Sequence, residues 1–190
     1  MMSKRKISRG FTLVELMVTI AIIAIIALVA VPSMTAMIET RRMQSATEFV
    51  YARVAAARVE AIKQSKTVYV TFVTGNSGGW SIGMSDKTSC QPSTAPADCT
   101  VTTKVNGTDT DLSYVFTGAD HTRVNMTGAA FGSPSSAQLS FSAGRGTSNG
   151  GTVTLTSTDG LQTQIQVNGL GRVIICSPTG SSKLGAYRDC

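Results

Sequence analysis

The residue that most demands a chemical explanation is Glu15, an acidic side chain inside an otherwise apolar run from Phe11 to Val31. The run follows a basic stretch, SKRKISR, at positions 3–9. A carboxylate inside a membrane helix is energetically expensive, so it marks a functional position that requires a partner group. A suitable partner for the carboxylate is a positively charged group.

The four cysteines, Cys90, Cys99, Cys176 and Cys190, could form disulfides or hold a metal. Their even number and wide spacing, downstream of an apolar segment, favour disulfides in an oxidising compartment. Zinc binding is the alternative, but it usually uses tight knuckle spacings and no CxxC is present. We expect the pairs Cys90–Cys99 and Cys176–Cys190. Four cysteines allow three pairings, so this sequential one is a preference.

A basic cluster with one aromatic side chain lies near the end of the chain and consists of Arg172, Lys183, Tyr187 and Arg188. Lys and Arg neutralise phosphates and Tyr can stack on bases, so this set is a candidate site for the DNA backbone. The alternative is a solvated loop that contacts another protein. The net charge of the whole chain is +6, without the dense basic footprint of a dedicated nucleic-acid-binding protein.

Catalytic and metal-binding patterns are missing from the sequence. His121 is the single histidine, with no Cys or acid cluster beside it, and we expect a surface or capping role. There is no GxSxG, and Gly169-Leu170-Gly171 is followed by a strand-like segment without the lysine of a phosphate loop. We therefore predict a protein that is not an enzyme and that has no cofactor and no metal site.

The apolar run is long enough to cross a membrane. Phe11 to Val31 comprises 21 residues, which as a helix covers roughly 32 Å, about one hydrocarbon core. A plain signal anchor, with the basic flank in the cytoplasm, is the simplest interpretation. A cleaved secretory signal fits poorly, because AVPSM is a weak match to a cleavage site. We assign residues 11–32 to a transmembrane helix.

The helix is predicted to continue through residues 33–66 with one apolar face. The residues of this stripe recur at three- and four-residue spacing: Phe49, Val50, Val54, Ala57 and Ala61. Basic residues lie mostly off the stripe, and we interpret them as a solvated face: Arg41, Arg42, Arg53, Arg58, Lys63 and Lys66.

From Thr67 the apolar residues alternate with polar ones, which is typical of strands. Residues 67–72 and 80–84 form a predicted hairpin around GNSGG at 75–79. Further strands are predicted at 100–105, 112–116, 122–127, 137–142, 152–157, 161–167 and 171–176. Residues 67–190 are therefore predicted to form a β-rich globular domain.

The N-terminal residues Arg9-Gly10-Phe11-Thr12-Leu13-Val14-Glu15 resemble the prepilin motif of type IV pilins and type II secretion pseudopilins. The resemblance implies a leader at residues 1–10, peptidase cleavage after Gly10, and methylation of Phe11 as the new N-terminus. Glu15 then becomes the fifth mature residue, the position of the glutamate found throughout these proteins. Pro32 falls where pilins often carry a helix-disrupting proline.

Cleavage after Gly10 would create a charged amine at the membrane face, and Glu15 can pair with that amine on a neighbouring subunit. An unpaired carboxylate in lipid costs roughly 2–4 kcal/mol, so this pairing would drive assembly and set the axial stagger. The resemblance thus implies that Glu15, together with Pro32, serves assembly.

The later part of the chain is similar to the GspH/FimT branch of pilin-like proteins. The similarity rests on LSFSAGRG at 139–146, a hairpin, and GLGRVIIC at 169–176, which place Phe141, Gly144, Gly171 and Arg172 at the positions of the branch. It implies an α+β fold in which a long N-terminal helix, half membrane and half amphipathic, packs on a two-sheet antiparallel β-domain.

The resemblance implies a minor pilin of the pilus tip or initiation complex, in the inner membrane with a periplasmic domain and then in the pilus at the cell surface. Its partners would be prepilin peptidase, other minor and major pilins and the membrane. One alternative is a minor pilin that binds double-stranded DNA for uptake. Such receptors carry Gly-Arg-x-Arg, whereas Ile174 replaces the second arginine here. The other alternative is a GspH-type pseudopilin of a type II secretion system.

Overall fold

The computed structural model describes residues 10–88, 90–92, 98–105, 108–132, 136–180 and 182–190 of the chain. Within these residues one α-helix, α1, spans Leu13–Gln64 and is followed by nine β-strands. The chain divides into two compact units, with the boundary between Ile38 and Glu39. The helix contributes to both units, which are described separately.

In the second unit, one face of α1 is fully buried. The buried residues follow three- and four-residue spacing, as one helix face requires: Met43, Ala46, Val50, Val54, Ala57 and Ala61. Most of the predicted stripe is therefore correct, while Phe49 is only half-buried at its margin. The hydroxyl of Thr47 lies 2.7 Å from that of Thr163, which ties the helix to the β-domain through a buried hydrogen bond.

The strands, in chain order, are β1 Val68–Val73, β2 Ser81–Ser85, β3 Thr100–Val105, β4 Thr108–Thr117, β5 Val124–Phe131, β6 Gln138–Phe141, β7 Gly151–Ser157, β8 Gln162–Val167 and β9 Val173–Cys176. They form two antiparallel sheets. Sheet 1 has the order β3-β4-β2-β1-β6, and sheet 2 has the order β5-β7-β8-β9.

The core lies between the sheets and α1, because alternate strand residues point inward. In sheet 2 the inward residues Val153, Leu155, Ile165 and Val167 are buried. The intervening residues of β7 and β8 are threonine and glutamine, and all of them are half-exposed: Thr152, Thr154, Thr156, Gln162, Gln164 and Gln166. Sheet 2 thus presents an uncharged polar outer face.

The α+β architecture predicted from the sequence, a long helix followed by antiparallel sheets, is confirmed. Individual boundaries differ. Strand β4 begins at Thr108, earlier than the predicted residue 112. Strand β9 begins at Val173, two residues later than predicted, because Gly171 has a φ of 74° and completes the turn after β8.

Candidate functional site

The helix begins immediately after the predicted processing point. Gly10 and Phe11 are exposed, and Thr12 caps α1 by accepting a hydrogen bond at its Oγ1 from the Glu15 amide at 3.2 Å. Threonine followed three residues later by glutamate is the sequence of a capping box. Glu15 therefore occupies the first helical turn with its side chain exposed, where the helix dipole favours a negative charge.

Around Glu15 and along the rest of the first unit, large apolar side chains are exposed. They include Phe11, Leu13, Val14, Leu16, Met17, Val18, Ile20, Ile22, Ile23, Ile25, Ile26, Leu28, Val31, Met34 and Met37. A helix that is apolar all round is stable only when lipid or other helices cover it. Among the described residues no single helix meets the length and hydropathy expected of a membrane span, whereas Leu13–Leu28 and Ser33–Gln64 meet them together across a bend.

Two of the four residues proposed for DNA binding meet in one cleft. Arg172, just before β9, and Arg188, in the C-terminal tail, both line a cleft of about 420 Å³ on the outer face of sheet 2. Across three strands, Thr152, Gln166 and Ile174 stand in register and contribute to its lining. Val167 and Asn168 complete the wall beside Arg172.

The other two proposed residues do not join this cleft. The ammonium group of Lys183 forms an ion pair with Asp189 at 2.6 Å. Tyr187 is half-buried and packs against the core, so little of its ring face is available for stacking on a base. Burial, and then the negative charge of Glu48, raise the pKa of the Tyr187 hydroxyl above its usual range.

The structure contains both disulfides, Cys90–Cys99 and Cys176–Cys190. The first lies on sheet 1 directly over Gly83 of β2, beside Pro92. A side chain at position 83 would occupy the place of the sulfur atoms. The disulfide therefore covers the centre of the sheet and requires glycine beneath it.

The second disulfide closes the C-terminal tail onto sheet 2. Leu184 of the tail is buried in the core, and its amide donates a hydrogen bond to Ser177 Oγ at 2.8 Å. The same hydroxyl donates to the carbonyl oxygen of Gln162 at 2.6 Å. The tail is thus a packed part of the domain, and it holds Arg188 at the cleft.

Comparison with protein families now places the chain. A family model described as type II transport protein GspH matches residues 46–171, which is more than half of the chain. A second, described as the prokaryotic N-terminal methylation motif, matches residues 5–31. The chain belongs to the GspH/FimT family of type IV pilin-like proteins. Neither a curated protein nor a solved structure matches it significantly.

Membership in the GspH/FimT family explains the start of the helix. A methylation motif implies processing by prepilin peptidase, anchoring in a membrane, and assembly with other pilins. The family is structural and non-enzymatic. Among the described residues no group of three or more His, Cys, Asp or Glu side chains is arranged to hold a metal ion.

The GspH match ends at Gly171, immediately before Arg172 and well before Arg188. The match therefore does not say what Arg172 and Arg188 bind. What the cleft binds has to be argued from its own chemistry.

One cluster of this GspH/FimT protein was missed from the sequence. Phe49 of α1, Trp80 and His121 lie together, with the His121 ring 5.4 Å from Phe49 and 5.9 Å from Trp80. The predicted surface role of His121 is thus wrong in part, because the ring is half-buried among aromatics. No local signal could reveal this, since the three residues are far apart in the chain.

The prediction of a solvated basic face on α1 also needs correction. Arg53 lies over the rings of Phe49 and Phe116, at 4.8 and 4.2 Å from their centroids. Arg58 donates hydrogen bonds to the carbonyl oxygens of Gly146 and Leu170, both at 3.3 Å. These arginines attach the helix to the β-domain, because guanidinium groups both stack on aromatics and donate several hydrogen bonds.

A charge network occupies the beginning of the second unit. Glu39 is buried and pairs with Arg42 at 2.8 Å and with Arg123 at 2.5 Å, and Arg123 also pairs with Asp159 at 3.2 Å. The network connects α1 to the residue before β5 and to the turn between β7 and β8. It fixes the first turns of this unit's helix on the β-domain.

Proposed function

We propose that this chain is a minor pilin of a type IV pilus, incorporated in the tip or initiation complex and supporting pilus assembly. The observation that carries the proposal is Glu15, which lies in the first turn of α1 among the exposed apolar side chains of the first unit. An isolated acid in such a surface calls for a specific partner, and a neighbouring subunit can supply one.

In this proposal prepilin peptidase cuts between Gly10 and Phe11 and methylates the new amine of Phe11. Both residues are exposed ahead of the helix, where a peptidase can reach the bond. Residues 1–9 lie outside the described part of the chain, and so does the side chain of Pro32, for which an assembly role stays a prediction. The positive amine of one subunit then pairs with Glu15 of the next.

In this proposal the segments of the chain have the roles expected from the sequence. Residues 11–32 hold the protein in the inner membrane and later join the helical bundle of the pilus. Residues 33–66 join this helix to the globular domain at 67–190, which lies in the periplasm and recognises neighbouring subunits. After assembly the protein is exposed with the pilus tip at the cell surface.

The proposal is tested by Glu15→Gln, with Glu48→Gln as a matched control on the exposed surface of the same helix. We expect Glu15→Gln to be cleaved normally but to stay in the membrane fraction and to be missing from sheared pili. Mass spectrometry of the mature N-terminus checks the cleavage. Normal incorporation of the Glu15 variant would show that the docking role is wrong.

The pseudopilin alternative is separated by deleting the gene. Loss of pili with intact protein secretion supports the minor pilin, because the chain would then act in the pilus. Loss of secretion with intact pili would instead assign it to a type II secretion system.

DNA binding is a second candidate, and the shared cleft of Arg172 and Arg188 is the observation in its favour. The ion pair of Lys183 and the packing of Tyr187 count against it. Two arginines would neutralise about two phosphates, so the logarithm of the affinity should fall with that of salt with a slope of about −1.8. Titration of the full chain in detergent with duplex DNA at several salt concentrations tests this. Arg172→Ala plus Arg188→Ala should abolish the binding.

A further inference from the structure

The cleft on the outer face of sheet 2 combines two kinds of groups that a minor pilin's assembly role leaves unused. Within the described residues, neither the Arg172 nor the Arg188 guanidinium has a carboxylate partner within ion-pair distance, and no acid lines the cleft. Asp189 is adjacent to Arg188 in the chain, but its carboxylate pairs with Lys183 instead. The cleft therefore keeps two available positive charges.

The remaining lining of the cleft is neutral. Thr152 supplies a hydroxyl, and Gln166 and Asn168 supply amides. Gln166 donates from Nε2 to Gln164 Oε1 at 3.2 Å, which orients its amide. The Asn168 oxygen accepts from the amides of Leu170 and Arg172, at 3.1 and 2.9 Å, and so fixes the turn that carries Arg172. Ile174, which is half-exposed opposite Gln166, adds apolar surface.

This combination selects among anionic ligands. A phosphate ion or an acidic side chain would use the arginines and leave the hydroxyl and amide groups without a role. A DNA duplex prefers an extended basic surface, whereas this cleft is concave and carries only two bases. A sugar that bears a carboxylate would use the groups present, since its hydroxyls both donate and accept, its carboxylate suits a guanidinium, and its C–H face suits Ile174.

We propose that this cleft binds an acidic saccharide, with the carboxylate held by Arg172 and Arg188 and the ring hydroxyls by Thr152, Gln166 and Asn168. The volume of about 420 Å³ lies within the usual range of small-ligand pockets. The tail disulfide, Cys176–Cys190, and the Asn168 turn hold both arginines in place before a ligand arrives. The inference does not depend on whether the chain serves a pilus or a secretion system.

The test uses the full chain in detergent micelles and isothermal titration with trigalacturonic acid. Its fully methyl-esterified form is the neutral control ligand, and inorganic phosphate and a duplex DNA are the competing probes. We expect the acid to bind at least about tenfold more tightly than the ester, since guanidinium–carboxylate pairs are charge-assisted. Phosphate and DNA should bind more weakly than the acid.

Two variants separate charge from hydrogen bonding. Arg172→Ala plus Arg188→Ala should lower the affinity for trigalacturonic acid by about tenfold or more. Lys87→Ala plus Lys104→Ala also removes two positive charges, but from exposed positions beside or within sheet 1. This control should leave the affinity for trigalacturonic acid unchanged. Thr152→Val plus Gln166→Leu should lower the affinity for the sugar but not for phosphate, because only the sugar uses the hydroxyl and amide groups of these residues.

Several results would overturn the inference. These are no binding of trigalacturonic acid at millimolar concentration, equal binding of acid and ester, or loss of binding in the lysine control. If duplex DNA bound more tightly than trigalacturonic acid, the cleft would be assigned to DNA binding instead. The pilus assignment is tested separately through Glu15, so failure of either proposal leaves the other intact.

Discussion

The imidazole of His121 stacks on the indole of Trp80, with ring centroids 5.9 Å apart and ring planes 9° from parallel. Burial beside the indole lowers the pKa of His121, and the nearby Asp120 opposes this only in part. A histidine whose pKa is lowered by folding binds its proton more tightly in the unfolded chain. Protonation therefore favours unfolding.

The first prediction is that acid destabilises the domain through His121. The stability contributed by neutral His121 is fully present above the pKa of the unfolded chain, about 6.5. It is lost as the pH falls through the lower pKa of the folded state. His121 is the single histidine, so this window is free of other imidazoles. Thermal unfolding should show a falling Tm between about pH 7 and pH 5. In His121→Phe, which keeps an aromatic ring without a titrating group, this slope should become shallower; an unchanged slope would contradict the assignment.

The second prediction concerns Gly83 beneath the Cys90–Cys99 disulfide. A Cβ at this position would overlap both sulfur atoms and approach Pro92 Cβ to 3.0 Å. Because the disulfide or the strand would have to shift to admit the added methyl group, Gly83→Ala should lower the free energy of unfolding by roughly 1–3 kcal/mol. Gly185→Ala is the matched control, since nothing lies within 4 Å of its added Cβ. Chemical denaturation of both variants measures the difference, and equal stability would refute the predicted overlap.

The third prediction concerns the pair of Arg123 and the buried Glu39. Arg123→Ala leaves Glu39 with only Arg42 and should cost about 1–3 kcal/mol, because a buried charge loses a charged hydrogen-bond partner. Asp159→Ala breaks the exposed pair of the same arginine and should cost less than about 1 kcal/mol. Thermal unfolding followed by circular dichroism compares them.

A further variant checks the cause of the Arg123 effect. Adding Glu39→Gln to Arg123→Ala removes the buried charge, so the double variant should recover part of the lost stability. If the double variant were less stable than Arg123→Ala by the full cost of a second mutation, the buried charge would not be the reason.

Local pattern was sufficient for most of the fold. The alternation of Val68, Val70 and Phe72 and the spacing of Val50, Val54 and Ala57 each report a single element, and both patterns are buried as expected. The ends of strands were harder to predict from the sequence. Strand β9, for example, begins only after the turn that Gly171 completes with its positive φ. That conformation depends on the close approach of Gly146, which is remote in sequence.

The sites show the same limit. Glu15 was identifiable because a charge in an apolar run is conspicuous without any tertiary information. Sequence alone could not show which of the four basic or aromatic residues near the C-terminus line the cleft. Their positions depend on contacts with Asp189 and Glu48 and on the register of sheet 2. Sequence supplies the set, and only tertiary contacts decide that Arg172 and Arg188 share a cleft.

The fourth prediction follows from the packing of the tail that bears Arg188. Cys176→Ala plus Cys190→Ala should cost roughly 2–4 kcal/mol, because it releases a loop whose ends are 14 residues apart. It should also loosen Leu184 and expose the bonds after Lys183 and Arg188 to trypsin. Cys90→Ala plus Cys99→Ala should cost a similar amount but leave these two bonds protected, since that disulfide lies on sheet 1. Limited proteolysis with mass spectrometry distinguishes the pairs; equally rapid tail cleavage in both would mean that global stability, and not the local bond, holds Arg188 in place.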